Sequence, residues 1–353
     1  MHDYLLVMRG AERTFAAMAD VWPHASISTL LYDPEGTERR FAGHRVTTSR
    51  LQRLGASQSS FRRLLPLFPA AAERLPVASG VVVSSSSAFA HGVRPAPGAV
   101  HVCYCHSPFR YVWHERDTAL RELPGPARPA LKLVLDRVRR WDLEASRRVT
   151  HYIANSAITQ QRIREFYGRD ASIVHPPVAV DRFRTGEPED WFLTVSEVVR
   201  HKRIHVALEA ARRAGRQIKV VGTGPDLPRL QREYEGHAEF LGRVSDADLA
   251  DLYPRARALV MANVEEFGIA GVEAQAAGRP VLAADGGGAR ETVLEGETGH
   301  RVAVDDVAQL AEAMADADLD GLDSARIVAN AARFSVPSFQ EKLRAEVERA
   351  CRR

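Results

Sequence analysis

Short, nearly continuous apolar runs alternate with amphipathic stretches along this chain, and that alternation restricts the possible folds more than any other feature. The runs fall at residues 81–83, 100–104, 152–154, 172–174, 191–195, 218–221, 238–241, 258–261 and 280–283, most of them bounded by Gly, Pro or Ser. Strands covered on both faces read this way. Residues 204–214 and 247–256, lying between runs, carry helical spacing. Strand and helix in alternation predict parallel sheets in an α/β architecture.

At 353 residues and about 150 residues per domain, two domains are expected. The formal charge of +3 is a sum of unlike halves: 24 Lys+Arg against 15 Asp+Glu through Val180, and 24 against 30 beyond it. The sign changes beside a polar stretch, residues 181–190, broken by Gly186 and Pro188. A boundary there divides the chain into a first domain at 1–183 and a second at 184–335. A closing helix follows at 336–353, where residues 339–351 have helical spacing. Composition leaves open which domain that helix packs on; a return to the first is one arrangement.

Of the 48 basic residues only Lys132, Lys202, Lys219 and Lys342 are lysines, so a lysine inside a motif stands out. Cys103, Cys105 and Cys351 are too few for a disulfide framework, which favours a reducing compartment. The sequence has neither an apolar run long enough to span a membrane nor a signal-peptide pattern, and a cytoplasmic location is expected.

The densest chemical signal is Glu265-Glu266-Phe267-Gly268-Ile269-Ala270-Gly271-Val272-Glu273-Ala274-Gln275-Ala276-Ala277-Gly278-Arg279-Pro280. It follows an apolar run, turns at Gly268, continues as a short helix and closes on Gly and Pro, as a helix stop does. The backbone N–H groups and positive dipole end of such a helix suit a phosphate or sugar hydroxyls. Glu265 falls at the carboxyl end of a strand, where open α/β sheets place ligands, and Glu273 lies one turn into the helix. An isolated pair of glutamates at this separation is ordinarily just solvated. The Phe-Gly insert and the Glu-Ala-x-Ala-x-Gly-x-Pro-Val tail set this pair apart.

With these residues in place, the chain resembles the retaining GT-B glycosyltransferases of the large group 1, or family 4. The resemblance runs through nearly the whole chain: His2-Asp3-Tyr4-Leu5, Arg9-Gly10-Ala11-Glu12-Arg13, Val83-Ser84-Ser85-Ser86, Cys105-His106-Ser107-Pro108-Phe109-Arg110-Tyr111, Ala154-Asn155-Ser156 and Val174-His175-Pro176-Pro177-Val178. It continues in His201-Lys202-Arg203, Val221-Gly222-Thr223-Gly224-Pro225, Phe240-Leu241-Gly242, the Glu-x7-Glu block, Gly286-Gly287-Gly288-Ala289-Arg290-Glu291 and Thr298-Gly299. It implies two Rossmann-like, doubly wound domains facing a cleft, with a C-terminal helix.

The resemblance also implies roles. Glu265 would lie by the transferred sugar, and Glu273 would accept from the ribose hydroxyls of the nucleotide, a sound pairing for a carboxylate. Backbone amides of Phe267, Gly268 and Ile269 would hold sugar hydroxyls and phosphate; Gly222, Gly224, Arg243 and Val244 would line the donor. Lys202 would offset charge on the departing diphosphate. Relatives carry Arg five residues before that lysine, where this chain has Glu197. A carboxylate there would repel a diphosphate, so either Arg200 or Arg203 is expected to supply the second cation, or Glu197 points elsewhere.

In the first domain the resemblance sets His106 against the donor sugar. It puts Gly10, Ala11 and Arg110 in loops near donor or acceptor. Arg9 stands where relatives carry the first Gly of a pair, and the segment before Asp3 is shorter than their first strand; either that strand is truncated or the start lies upstream. Strand alternation separates His101, Cys103 and Cys105 from Val102, Tyr104 and His106. A His-x-Cys-x-Cys strand lacks metal-ligand spacing and reads as packed core. Ser245 before Asp246-Ala247-Asp248 reads as a helix N-cap, and the run Ser84 to Ser87 as the approach to a helix.

Arg45, Arg50, Arg53, Arg62, Arg63 and Arg74 are interleaved with Leu51, Leu54, Phe61, Leu64, Leu65, Leu67 and Phe68. Such a mix suits either an ordinary solvated helix pair or contact with an anionic membrane surface. No nucleic-acid-binding pattern accompanies the charge. The segment from Cys105 to Trp113 looks most like that of mannosyltransferases using GDP-mannose in envelope or polysaccharide assembly. The expected activity is therefore retaining transfer of a hexose, mannose from GDP-mannose in first place, to a glycan or lipid-linked acceptor, without metal or cofactor. A UDP-sugar-dependent transferase, a GT-B epimerase and a non-catalytic nucleotide-sugar-binding relative are the alternatives.

Overall fold

The computed structural model describes residues 1–352 apart from 56, 59, 78–79, 122–124 and 316. It divides into two compact units, Met1–His175 with Phe339–Arg353, and Pro176–Ser338.

The first unit holds β1 (Ile27–Thr29), β2 (Val46–Thr48), β3 (Val81–Ser86), β4 (Val100–Cys105), β5 (His151–Ala154) and β6 (Ala171–Ile173). β1 pairs with β2, and β3 to β6 pair in sequence order, all parallel. Residues 1–5 run extended between these two groups, bridging His2 to both Thr29 and Ser85 and Leu5 to Tyr32. The resulting order, β2, β1, residues 1–5, β3, β4, β5, β6, reverses direction between the first segment and β3, a topological switch point. The Asp3 carboxylate sits in that gap, 2 % exposed. It accepts the backbone N–H groups of Ser87, Ala88, Phe89 and Ala90 at 2.6 to 3.1 Å. A buried carboxylate needs such charge-assisted donors, and here they tie the turn after β3 to the first segment.

The second unit holds β7 (Trp191–Val195), β8 (Gln217–Val221), β9 (Ala238–Gly242), β10 (Leu259–Met261), β11 (Val281–Ala284) and β12 (Gly299–Val302). Their order is β9-β8-β7-β10-β11-β12, all parallel, with the switch between β7 and β10. Alternation along the strands feeds two cores. Phe192, Val220, Val260 and Leu282 pack on one face, beneath the helix Ile204–Ala214. Leu193, Val221, Leu259, Met261 and Val281 pack on the other, with Val272 from the helix Ile269–Ala276. Burial on both faces is why these strands read as continuous apolar runs. Val178 and Phe183 join this second core, so the polypeptide changes unit at His175–Pro176. The helix Val336–Cys351 buries Phe339 against Tyr104 of the first unit, ring centroids 5.6 Å apart.

All nine apolar runs form strands. Three further strands, β1, β2 and β12, are short and of mixed polarity, and their pairing partners rather than their own pattern hold them extended. The Arg45–Phe68 stretch is not a helix pair. Residues 46–48 form β2, Arg50–Leu54 and Phe61–Leu67 are 3-10 turns, and Phe68–Glu73 is one short helix. Pro66 lies inside the second turn, where it cannot donate to a helical ladder. Ser84 to Ser86 likewise end β3 instead of approaching a helix. Ser245 caps the helix Asp246–Leu252 as expected, accepting the Asp248 N–H at 3.1 Å.

Candidate functional site

In the second unit, the loops after β7 and β10 meet at the switch point. Lys202 closes a 3-10 turn, Arg200–Lys202, after β7. Its Nζ lies 2.6 Å from Glu265 Oε1, beyond β10, and both side chains are about one-quarter exposed, at 22 % and 24 %. Asn263, itself buried, donates its Nδ2 to the same oxygen at 2.8 Å. Glu265 Oε2 receives no hydrogen bond from the described residues, which leaves one acceptor oxygen directed by two donors on the other.

The backbone beneath this carboxylate is built for close approach. The Glu265 carbonyl accepts the Gly288 N–H at 2.9 Å. A Cβ on Gly287 would stand 2.0 Å from that carbonyl, and one on Gly288 would stand 2.2 Å from the Phe267 carbonyl. The Gly286-Gly287-Gly288 run therefore holds the Glu265–Phe267 loop from below. Phe267 is buried against Phe334, centroids 5.4 Å apart. Gly268 takes φ 84° as the N-cap of the helix Ile269–Ala276. Ile269, half-buried, opens that helix and presents its first-turn N–H groups at the same edge.

Glu273 lies on this helix, and its Oε2 accepts the Tyr253 hydroxyl at 2.8 Å. Tyr253 is fully buried, and burial together with the adjacent carboxylate pushes its hydroxyl well above the usual tyrosine range. It thus acts as a fixed O–H donor. Neither Tyr253 nor Asn263 stood out in the sequence, since a Tyr ending a helix and an Asn after a strand have no distinguishing pattern.

Gly222 and Gly224 follow β8 and abut the Ser196–Val198 backbone: added Cβ atoms would stand 1.8 Å from the Ser196 carbonyl and 2.2 Å from that of Val198. They let the β7 and β8 loops interlock, with Val198 N–H donating to Thr223 at 3.0 Å. Arg243 is exposed after β9, and Val244 packs on the core. Arg203, in a left-handed conformation with φ 53°, is ion-paired with Asp305. Arg200 and Glu197 are exposed, and neither forms an ion pair among the described residues. The structure thereby separates the two arginines that the sequence left equivalent.

In the first unit, His106 directly follows β4, half-buried, with Nε2 2.8 Å from Ser85 Oγ. Burial, aided by nearby His2, lowers it to about 3, so the ring is neutral at neutral pH. The three serines of β3 each meet a histidine: Ser84 with His101 at 2.8 Å, Ser85 with His106, and Ser86 with His91 at 3.2 Å. Cys103 and Cys105 are buried free thiols in the core formed with Tyr152 and Tyr167. Gly10 and Ala11 are the first residues of the helix Gly10–Val21, preceded by Arg9 as its N-cap. Arg110 lies 3.8 Å from Glu115 at the surface. Among the described residues no group of His, Cys, Asp and Glu is placed to hold a metal ion, and no helix is long and apolar enough to cross a membrane.

Two doubly wound parallel units with a closing C-terminal helix define the GT-B architecture. Residues 180–334 match the family described as glycosyl transferases group 1. The chain is 34% identical over 173 residues to glycogen synthase of Mycobacterium tuberculosis, covering 46% of this chain and 41% of that one. It is 32% identical over 200 residues to the GDP-mannose-dependent alpha-(1-6)-phosphatidylinositol monomannoside mannosyltransferase of the same organism, covering 47% and 51%. It therefore spans about half the length, or less, of these curated relatives. Among solved structures, Anabaena HepE in complex with UDP superposes with a TM-score of 0.69 over 99% of this chain and 100% of that one at 18% identity.

Proposed function

We propose that the protein is a retaining glycosyltransferase that moves a hexose, with mannose from GDP-mannose as the favoured donor, to a glycan or lipid-linked acceptor. The observation that carries this reading is the Lys202–Glu265 pair at the switch point of the second unit, with Glu273 one helix turn beyond. Glu273 would take the ribose hydroxyls, Phe267, Gly268 and Ile269 would hold sugar hydroxyls and phosphate, and Gly222, Gly224, Arg243 and Val244 would border the nucleotide. Lys202 would exchange Glu265 for the diphosphate and offset the charge that develops on the leaving group. Arg200, exposed and in no ion pair among the described residues, would be the second cation. His106 would orient the sugar from the first unit, with Gly10, Ala11 and Arg110 lining its loops. As the resemblance implies, the reaction would use no metal or cofactor, and the donor diphosphate would accept the proton of the incoming hydroxyl.

The mannosyltransferase named above supports GDP-mannose, and the HepE–UDP complex supports a UDP-sugar as the second reading. A cytoplasmic enzyme working at the inner membrane face fits the first unit. There Arg45, Arg50, Arg53, Arg62, Arg63 and Arg74 are exposed, and Leu54 and Leu67 are 61 % and 48 % exposed. Anionic lipid would attract such a surface. The test is incubation with GDP-mannose, UDP-glucose and UDP-N-acetylglucosamine, with lipid-linked and glycan acceptors, following nucleotide release and sugar fate. GDP release with mannose on an acceptor is expected. Altered sugar still attached to nucleotide would indicate an epimerase, and no release from any donor would overturn the transferase reading.

A further inference from the structure

The His106 ring is not held alone. Ser85 Oγ, 2.8 Å from His106 Nε2, lies 3.0 Å from His2 Nδ1. His2 is 2 % exposed, stacks on Phe15 at 4.9 Å, and sets its Nε2 3.8 Å from Glu12 Oε1. Glu12 is in turn anchored at the start of its helix, where Oε2 accepts the Arg9 N–H at 3.1 Å. His106, Ser85, His2 and Glu12 thus form a row within the first unit.

A serine hydroxyl has one proton, and two imidazole nitrogens face Ser85 Oγ. Ser85 is buried and its hydroxyl has no third partner among the described residues, so one ring receives that proton and the other supplies its own. The Glu12 carboxylate beyond His2 decides between the two arrangements. With one proton on the His2 ring, that carboxylate favours Nε2 as its site, which leaves Nδ1 as an acceptor. Ser85 then donates to His2 Nδ1 and accepts from His106 Nε2–H. His106 Nδ1, which has no hydrogen-bond partner among the described residues, is left as a lone pair.

We propose that Glu12, His2 and Ser85 are positioning residues that fix His106 in the Nε2–H tautomer and so make its Nδ1 a hydrogen-bond acceptor for a hydroxyl of the bound sugar. The use of that acceptor rests on the glycosyltransferase reading; the tautomer does not. Without the carboxylate, the opposite orientation of Ser85 would put the proton on Nδ1 and turn an acceptor into a donor. An imidazole in the wrong tautomer costs a catalytic site dearly even when its geometry is intact.

Nitrogen-15 spectra of the histidine rings of the full chain at neutral pH, with the His106 signals assigned by their loss in His106→Gln, read the tautomer directly. The Nε2–H form is expected, shifting toward Nδ1–H in Glu12→Gln, a change that can keep the helix-capping bond. In the transferase assay Glu12→Gln and Ser85→Ala should lower kcat about tenfold with little change in donor KM, and Ser85→Thr should restore most of the rate. A native His106 in the Nδ1–H form, or a tautomer unchanged in Glu12→Gln, would overturn the relay whatever the assay shows. An inactive protein with the expected spectra would instead overturn the transferase reading.

Discussion

The Tyr253 hydroxyl donates to Glu273 Oε2 at 2.8 Å from a ring with no exposed surface. The donor comes from the segment that ends one helix and the acceptor from the middle of the next, so helix packing sets the direction of the carboxylate. A hydrogen bond to a charged group contributes about 1.5–3 kcal/mol. Tyr253→Phe should therefore weaken binding of GDP about tenfold, measured by titration calorimetry. An unchanged dissociation constant in a variant of native melting temperature would remove Tyr253 from the site.

Lys202 is held by the carboxylate it would leave when a diphosphate arrives. Its replacement by Ala should lower kcat by about a hundredfold or more, the usual effect of losing one preorganised charge-stabilising donor. Lys202→Arg should rescue only part of the rate, because a guanidinium fork does not reproduce a compact ammonium between Glu265 and phosphate. Steady-state turnover of both variants decides this, and full activity in Lys202→Ala would refute the role.

Unless Glu197 points away from the diphosphate, a second cation would come from Arg200 or Arg203, and the two differ in what already holds them. Arg203 is paired with Asp305, whereas Arg200 forms no ion pair among the described residues and has only a longer-range attraction to Asp226. Arg200→Ala is expected to lower turnover about tenfold and Arg203→Ala to leave it near native. Native rates in both would show that no second cation is needed.

A buried pair in the first unit predicts a pH signature. Asp142 accepts from Trp113 Nε1 and Tyr167 OH at 2.7 and 2.8 Å, and its other oxygen lies 3.3 Å from His91 Nε2. Burial raises Asp142 to about 7 and lowers His91 to about 4. A raised carboxylate contributes stability that is present below its unfolded pKa of about 3.9 and is lost as pH rises through 7. A lowered imidazole contributes stability that is present above about 6.5 and is lost as pH falls through 4. The two slopes oppose each other in the native protein. Asp142→Asn removes the first, so native stability minus variant stability should decline steadily from pH 4 to pH 7 in urea denaturation. A difference independent of pH would mean that Asp142 keeps its charge.

Local pattern was enough for the α/β class and for nine of the strands, because central strands buried on both faces are apolar throughout; β9, at the sheet edge with Glu239 exposed, kept enough apolar residues to read the same way. The Glu-x7-Glu block stood out by residue type and spacing, and the family resemblance singled out Lys202 and His106; the structure sets Lys202 against Glu265 and His106 directly after β4. Three things depended on tertiary structure. Strands as short as Ile27–Thr29 and Val46–Thr48 are held by their partners, so their own residues do not announce them. What distinguishes Arg203 from Arg200 is its ion pair with Asp305, about a hundred residues further along the chain. The hydrogen-bond partners of the candidate side chains, Asn263 and Tyr253 in the second unit and Ser85, His2 and Glu12 in the row behind His106 in the first, come from separate segments. A side-chain hydrogen bond requires atoms within about 3 Å and aligned, a condition met through packing that no spacing along the sequence encodes.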